Sequence, residues 1–387
     1  MDDAVMAMLS PQCSPEARAQ ANIFFLELAA SPDGIGAAMR LLSGSPPPQY
    51  NGNPQDVKVL AVALLRNALR NSMAVRNANM IGQLRSSLLQ EIRLAANHRP
   101  LINELAAALG QVLSDAGNGV LSELLQDRLF QILPPACIVA VLNPLPDAGL
   151  WMIPTEVPPV QQLLLQIILQ AAGRDSQQQQ QQQNLSVLPT NCAASALRCL
   201  AKWVPLPNRA LTLLELARNC GPVLGIVLRY IEQPGLHGDA ASSAVSAVEL
   251  LVALLQTSRE TIESVVASFS SSSEVTHGSL RQGQNQTVFE GRPRDATEAA
   301  ALHAIVQTLA TAVQGLHRAI LFQDGFNGLG DGDWVDDFGL AAARLAASLS
   351  VSFGPLYLLS ADCPCALTFT QTIAALIAPP TPVSYIL

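Results

Sequence analysis

The sequence is poor in charged and aromatic residues and has no dense cluster of lysine and arginine. Of 387 residues, 13% are charged and 4% aromatic, whereas 49% are hydrophobic, and leucine and alanine dominate. Few aromatic residues disfavour a β-sandwich or barrel, and leucine and alanine favour helices because they lose little side-chain entropy there. The net charge of −8 and the lack of a basic cluster predict no nucleic-acid partner and favour basic partner proteins.

Long hydrophobic runs are also missing. No segment reaches the ~18 uninterrupted apolar residues that a membrane-spanning helix needs, and the nearest, 339–361, is interrupted by Arg344 and several serines. We therefore expect no membrane span. The first residues carry acids and no basic region, which predicts no secretory signal. Seven cysteines, an odd number, lie mostly at apolar helix positions and indicate reduced thiols in the cytosol or nucleus.

The amino-terminal part begins with two predicted helices. A serine–proline pair at 14–15 is a typical helix start, and the apolar spacing predicts a helix over 15–30 with Phe24 and Phe25 on its buried stripe. A second helix is predicted over 33–43, before a break rich in proline and glycine. The two form a helix–elbow–helix unit.

The same pattern continues further along the chain. Val57 and the apolar residues that follow it match the helical spacing without a miss, and comparable helices are predicted from Ile81, from Ile102 and over about 120–132. Each helix pair occupies about forty residues, close to the ~40–47-residue period of HEAT and armadillo repeats. One such pair cannot cover both of its apolar faces, so neighbouring pairs must stack.

The predicted fold class is therefore all-α, a HEAT-like α-solenoid of stacked antiparallel helix pairs. Two loops are predicted to be disordered because they have little apolar surface to offset the entropy of ordering. The first is rich in glutamine and includes a seven-glutamine run at 177–183, and the second is rich in serine and glycine. The predicted divisions are 1–142, amino-terminal HEAT-like repeats; 143–191, a proline-rich elbow, one helix and a poly-glutamine loop at 175–190; 192–267, further repeats; 268–297, a disordered loop; and 298–387, carboxyl-terminal helices of the same solenoid.

No group of residues predicts catalysis or a cofactor. Cys363 and Cys365 are separated by one residue and have no second pair nearby, which argues against a metal site. The acidic stretch 324–337 fails the EF-hand register and indicates a solvated loop. No nucleophile, base and orienting partner occur together, so we predict that the protein is not an enzyme and binds no cofactor or metal.

Two parts of the chain resemble the importin-β (karyopherin-β) superfamily of nuclear transport receptors. Its amino-terminal HEAT repeats are similar to residues 14–42, SPEARAQANIFFLELAASPDGIGAAMRLL, and 57–69, VKVLAVALLRNAL. A later repeat of the transportin-SR branch is similar to residues 195–204, SALRCLAKWV, because a Leu-Arg-Cys-Leu-x-x-Trp-Val string recurs there. The resemblance covers about 15–260 and concerns the amino-terminal part of the family only.

Because the chain is less than half the family's usual extent, the resemblance implies either a truncated form or a receptor for which cargo carriage does not follow. Such a receptor has a flexible superhelix and occurs in the nucleus and cytoplasm. Its partners would be Ran-GTP at the amino-terminal repeats, protein cargo on the concave face, and phenylalanine-glycine nucleoporins on the convex face. The alternative function is a general helical-repeat scaffold that binds partner proteins without Ran.

Trp203 is the one candidate partner-binding residue, and it has two interpretations. A tryptophan at the end of an apolar helix is usually a large core residue. In the functional interpretation, the indole lines a convex groove that accepts phenylalanine side chains.

Overall fold

The structure is a computed structural model. It describes residues 1–71, 78–114, 116, 119–149, 156–181, 192–206, 211–232, 240–257, 344–345 and 347–348. These residues contain helices and no strand, which confirms the predicted all-α class for this part of the chain. The loop predicted at 268–297 and most of the helices predicted over 298–387 lie outside the described residues.

The chain divides into two compact units, Met1–Val160 and Gln161–Leu387. This boundary falls inside the segment 143–191, which the sequence analysis treated as a connection between repeats. Among the described residues, no helix combines the length and the apolar character needed to cross a membrane.

The first unit is built from short and medium helices that contact one another in an alternating order. Helices α2, α4, α6 and α9 contact each other in succession, while α3 lies against α4, and α5 lies against α6 and α8. The amino-terminal helix α1, which the sequence analysis did not predict, packs against α2 and α4. The bounds are α1 (Asp2–Leu9), α2 (Pro15–Ala30), α3 (Gly34–Ser43), α4 (Pro54–Asn71), α5 (Ala78–Leu94), α6 (Arg99–Ser114), α7 (Val120–Gln126), α8 (Arg128–Gln131) and α9 (Pro135–Leu142).

Local chemistry explains where α2 begins and why α3 follows so closely. The Ser14 hydroxyl accepts a hydrogen bond from the backbone N–H of Ala17 at 3.2 Å, an N-cap that satisfies one of the free donors of the first turn. Gly34 begins α3 beside the end of α2, where an added Cβ would lie 2.6 Å from the carbonyl oxygen of Leu28. Any larger residue at position 34 would therefore push the two helices apart.

Helix α6 lies at the centre of the first unit because it is apolar on most of its circumference. It contacts α4, α5 and α9, and a helix that is apolar on nearly all sides is stable only when its neighbours surround it. The imidazole Nδ1 of His98 accepts from the N–H of Leu101 at 3.2 Å and caps its start. The buried residues of α6 are Leu101, Ile102, Leu105, Ala106, Ala108, Leu109, Gly110, Val112 and Leu113.

The helix predicted over about 120–132 is interrupted in the structure at Asp127. This residue has extended backbone angles, and its carboxylate accepts a hydrogen bond from the N–H of Leu129 at 2.9 Å. Aspartate competes with the helical backbone for hydrogen bonds and therefore favours a cap over a helix interior. Two short helices, α7 and α8, replace the single predicted one.

In its described residues, the second unit contains three further helices and most of a fourth. Helix α11 packs closely against α13, and α12 packs against α13. Helix α12 contains a kink at Cys220, where φ is −144° and ψ is 42°, directly before Gly221 and Pro222. Their bounds are α10 (Val157–Gln181), α11 (Cys192–Trp203), α12 (Leu213–Glu232) and α13 (Ala240–Thr257).

The structure corrects the prediction of a loop at the poly-glutamine segment. Helix α10 continues through Gln181, so residues 177–181 are helical and not a disordered loop, while 182–190 lie outside the described residues. Glutamine has a high helix propensity, and extending a helix that apolar residues have already nucleated adds one hydrogen bond for each residue fixed. A disordered loop was expected at 177–183 from composition alone, which does not include the effect of the preceding apolar helix.

Candidate interaction surface

Trp203, the candidate partner-binding residue, lies in the interior of the second unit. Its side chain is fully buried, and its backbone carbonyl accepts a hydrogen bond from the buried Nε2 of Gln161 at 2.9 Å. The indole therefore has no surface that a phenylalanine side chain of a partner can reach. In this structure Trp203 is a core residue, as expected for a large side chain at the end of an apolar helix.

Two cysteines precede Trp203 on α11. Cys199 is fully buried and Cys192 partly exposed, and both are free thiols. Burial raises the pKa of Cys199 to about 12, which keeps the thiol neutral and unreactive at physiological pH. Cys199 thus packs in the core as a small apolar side chain.

The first unit carries two ion pairs with the same spacing in sequence. Arg66 of α4 donates to Glu104 of α6 at 2.6 Å, and Arg85 of α5 donates to Glu123 of α7 at 2.8 Å. Each pair joins residues 38 positions apart. The same 38-residue spacing therefore joins α4 to α6 and α5 to α7. Equal spacings are expected when corresponding positions of adjacent helix pairs face each other.

A third pair is better shielded from solvent than the Arg66–Glu104 pair. Lys58 of α4 and Glu91 of α5 are 2.6 Å apart, with side chains 22% and 12% exposed. By contrast, the Arg66 and Glu104 side chains are 31% and 40% exposed. Solvent weakens the more exposed pair, so these contacts align the helices but contribute little stability each.

In the first unit, Glu156 makes a polar contact between the residues just before α10 and the start of α7. Its buried carboxylate accepts from the backbone N–H of Ser122 at 3.3 Å. Ser122 is in the first turn of α7, where free N–H groups attract negative charge. Glu156 therefore caps a helix, and this contact accounts for its burial.

A groove lies between α11 and α13, and we name it the α11–α13 groove. It has a volume of about 420 Å³, within the ~300–1,000 Å³ typical of ligand sites. Six of its lining residues are apolar and four are polar or charged. The lining residues are Arg198, Ala201, Pro205, Val245, Val248, Glu249, Val252, Ala253, Gln256 and Arg344.

This groove could not be recognised in the sequence because its residues come from three distant segments. Arg198 and Glu249 approach to 3.4 Å across 51 positions of sequence, and no local pattern predicts that pairing. A weak signal existed on α11, where Arg198 is a charged residue within the otherwise mostly apolar string 195–204. Arg344 was noted only as an interruption of an apolar stretch.

An exposed apolar stripe on α2 is the second surface feature. Ile23 and Leu26 are 55% and 52% exposed, and Ala19 and Ala30 continue the same helical face. The predicted buried stripe of α2 is wrong for Phe24, which is 39% exposed, while Phe25 is 6% exposed. Because polar and apolar residues are distributed around α2 without forming one apolar face, the sequence does not indicate which side its neighbours cover.

Residues considered for metal or redox chemistry are only partly described. In the described ranges, no group of three or more histidine, cysteine, aspartate or glutamate side chains is arranged to hold a metal ion. Cys363, Cys365 and the acidic stretch 324–337 lie outside those ranges. A scan against protein-family models and a search of curated proteins found no match to this chain.

Proposed function

We propose that this protein is a helical-repeat receptor that binds other proteins, and that it acts as an importin-like nuclear transport receptor. Its partners would be Ran-GTP, protein cargo with a basic surface, and phenylalanine-glycine nucleoporins, and it would move between nucleus and cytoplasm. The resemblance of segments 14–42, 57–69 and 195–204 to the importin-β superfamily motivates the choice of receptor class. The observation that carries the proposal is the alternating order of helix contacts in the first unit.

This order supports a stack of helix pairs. Helices α2, α4, α6 and α9 contact in succession, and α3 and α5 each lie against the helix that follows them. The proposed arrangement is a solenoid with one row of helices formed by α2, α4, α6 and α9 and a second row formed by α3, α5 and α8. The Arg66–Glu104 ion pair supports it because it joins α4 and α6 within the first proposed row, whereas the Arg85–Glu123 pair joins α5 of the second row to α7.

A stack of this kind suits a receptor that exchanges partners. Each repeat contacts only its neighbours, so small rotations between repeats add up to a large change in curvature. Two partners that prefer different curvatures then compete through the free energy of deforming the stack. Release of cargo by Ran-GTP is such a competition, and it requires no catalytic residue in the receptor.

The distinguishing experiment measures nucleotide-dependent binding. Purified full-length chain is immobilised and exposed to Ran loaded with a non-hydrolysable GTP analogue or with GDP. We expect retention of the GTP-analogue form at least ~10-fold above the GDP form, a difference of ~1.4 kcal/mol in binding free energy. Equal retention of both forms, or retention of neither, contradicts the proposal.

The α11–α13 groove favours a second candidate function, a scaffold that binds partner proteins without Ran. The groove supplies a concave, partly aliphatic surface for a partner protein. Binding at this surface does not require Ran. A scaffold would show no nucleotide-dependent Ran binding and no binding to immobilised phenylalanine-glycine repeats, yet would retain a peptide partner. Ran binding together with nucleoporin binding would reject it.

A further inference from the structure

The α11–α13 groove combines an aliphatic floor with an excess of positive charge. Val245, Val252 and Gln256 follow one another along α13 on the groove side, and eleven residues of helix extend over about 16 Å at 1.5 Å per residue. Ala201 and Pro205 contribute the facing wall from α11 and the turn after it. The groove is thus long enough for several residues of a bound peptide, and it offers both aliphatic and charged side chains to them.

The charges at the groove do not cancel. Arg198 and Glu249 are 3.4 Å apart, with side chains 49% and 40% exposed, so solvent screens their attraction strongly. Arg344 is exposed at the rim and has no ion-pair or hydrogen-bond partner among the described residues. Two arginines and one glutamate leave a local excess of one positive charge in a protein whose net charge is −8.

The arginine at the rim adjoins a buried residue. Leu345, the next residue along the chain, is 1% exposed, and its burial restricts the backbone beside Arg344. A guanidinium positioned in this way loses less entropy on binding a carboxylate than one on a free segment does.

We propose that the α11–α13 groove binds a segment of a partner protein that carries aliphatic side chains next to at least one carboxylate. The aliphatic side chains pack against Val245 and Val252, and the carboxylate binds Arg344 and draws Arg198 away from Glu249. This site therefore selects an acidic apolar segment, although the protein as a whole favours basic partners. The proposal does not depend on Ran, so a negative Ran experiment and a negative result here are distinguishable.

A peptide selection tests the proposal with the full-length chain. A display library of random twelve-residue peptides is selected on the immobilised protein, and one enriched peptide is synthesised for affinity measurements. We expect the enriched peptides to combine aliphatic residues with aspartate or glutamate. Arg344→Gln should weaken binding of the synthetic peptide about tenfold or more, as expected for the loss of a charge-assisted hydrogen bond.

Glu249→Gln provides a change of opposite sign. Removing this competing carboxylate frees Arg198, so binding should become about two- to fivefold tighter, the range that corresponds to breaking a half-exposed ion pair. Arg229→Gln, an exposed arginine of α12 outside the groove, is the matched control and should leave affinity unchanged. Circular dichroism spectra of the three variants verify that each one folds.

Three results would overturn the proposal. The first is that no peptide sequence is enriched, and the second is that enriched peptides carry lysine or arginine in place of acids. The third is an acidic peptide whose affinity responds equally to Arg344→Gln and Arg229→Gln, since this would reveal a nonspecific charge effect.

Discussion

The substitution Leu64→Asp measures directly how strongly α4 is buried. Leu64 is 3% exposed, and α4 packs against α2, α3 and α6. Withdrawing the leucine from the core loses about 1.5–3 kcal/mol of hydrophobic free energy. The new carboxyl group lies among apolar side chains, and keeping it neutral at neutral pH requires its pKa to rise by about three units, which costs about 4 kcal/mol. We therefore expect the free energy of unfolding to fall by about 5 kcal/mol or more, and by at least ~3 kcal/mol after local relaxation.

Leu26→Asp is the matched control because the same chemical change occurs on an exposed helix face. Leu26 is 52% exposed on α2, so its loss should be below about 1 kcal/mol, mainly from the lower helix propensity of aspartate. The assay is urea unfolding followed by helical circular dichroism. If Leu64→Asp does not fold, Leu64→Ala replaces it, with an expected cost of about 2–5 kcal/mol.

The pH dependence identifies the physical cause. The folded-state pKa of the new carboxyl group should be raised above its unfolded value of about 3.9, so the folded state retains the proton while the unfolded state releases it. Stability of Leu64→Asp should therefore fall as pH rises from about 4 to about 7. Equal unfolding midpoints for Leu64→Asp and Leu26→Asp would refute the assignment of the buried face.

Three smaller predictions concern contacts elsewhere in the chain. A double-mutant cycle of Arg66→Gln and Glu104→Gln should give a coupling of about 0.2–1 kcal/mol that shrinks in high salt, and a salt-independent coupling would argue against an ion pair. Iodoacetamide should modify Cys192 before Cys199, as read by mass spectrometry. Burial raises the pKa of Cys199 from its ordinary 9.0 to about 12, so stability should also decrease as pH rises through that window, because the unfolded thiol loses its proton first; if Cys199→Ala leaves the alkaline slope unchanged, this linkage is wrong. Deleting residues 177–183 should reduce helical circular dichroism slightly and change unfolding free energy by less than about 0.5 kcal/mol, since residues 177–181 extend one end of a helix; a large loss of stability would contradict this.

The helices of the first unit could be predicted because their signals are local. The apolar period from Val57 and the cap at Ser14 depend on residues within one or two turns, and the structure places helices α2 to α6 where these patterns predicted them. The break at Asp127 was missed because the apolar period continues across it. An aspartate that caps the next short helix differs from one on a solvent face only through its backbone conformation.

The candidate surface could not be predicted in the same way. The string that contains Trp203 indicates an amphipathic helix, and whether its indole faces a groove or the core depends on how α11 packs against α13. Arg198 and Arg344 are separated by more than a hundred residues, and their shared groove is a consequence of packing. Phe24 shows the same limit at α2, where polar and apolar residues are mixed around the helix and the neighbouring helices select the buried side.

The sequence by itself determined that the described chain is helical, where most of its first helices begin, and that its core is built mainly from small and medium aliphatic side chains. These properties follow from propensity and periodicity, which act over a few residues. Only the tertiary structure decided that α2 contacts α4 and α4 contacts α6, and that Trp203 is buried. It also decided that two arginines and one glutamate line one groove of an acidic protein. Those outcomes depend on which helix faces exclude water together, a property that no single helix possesses.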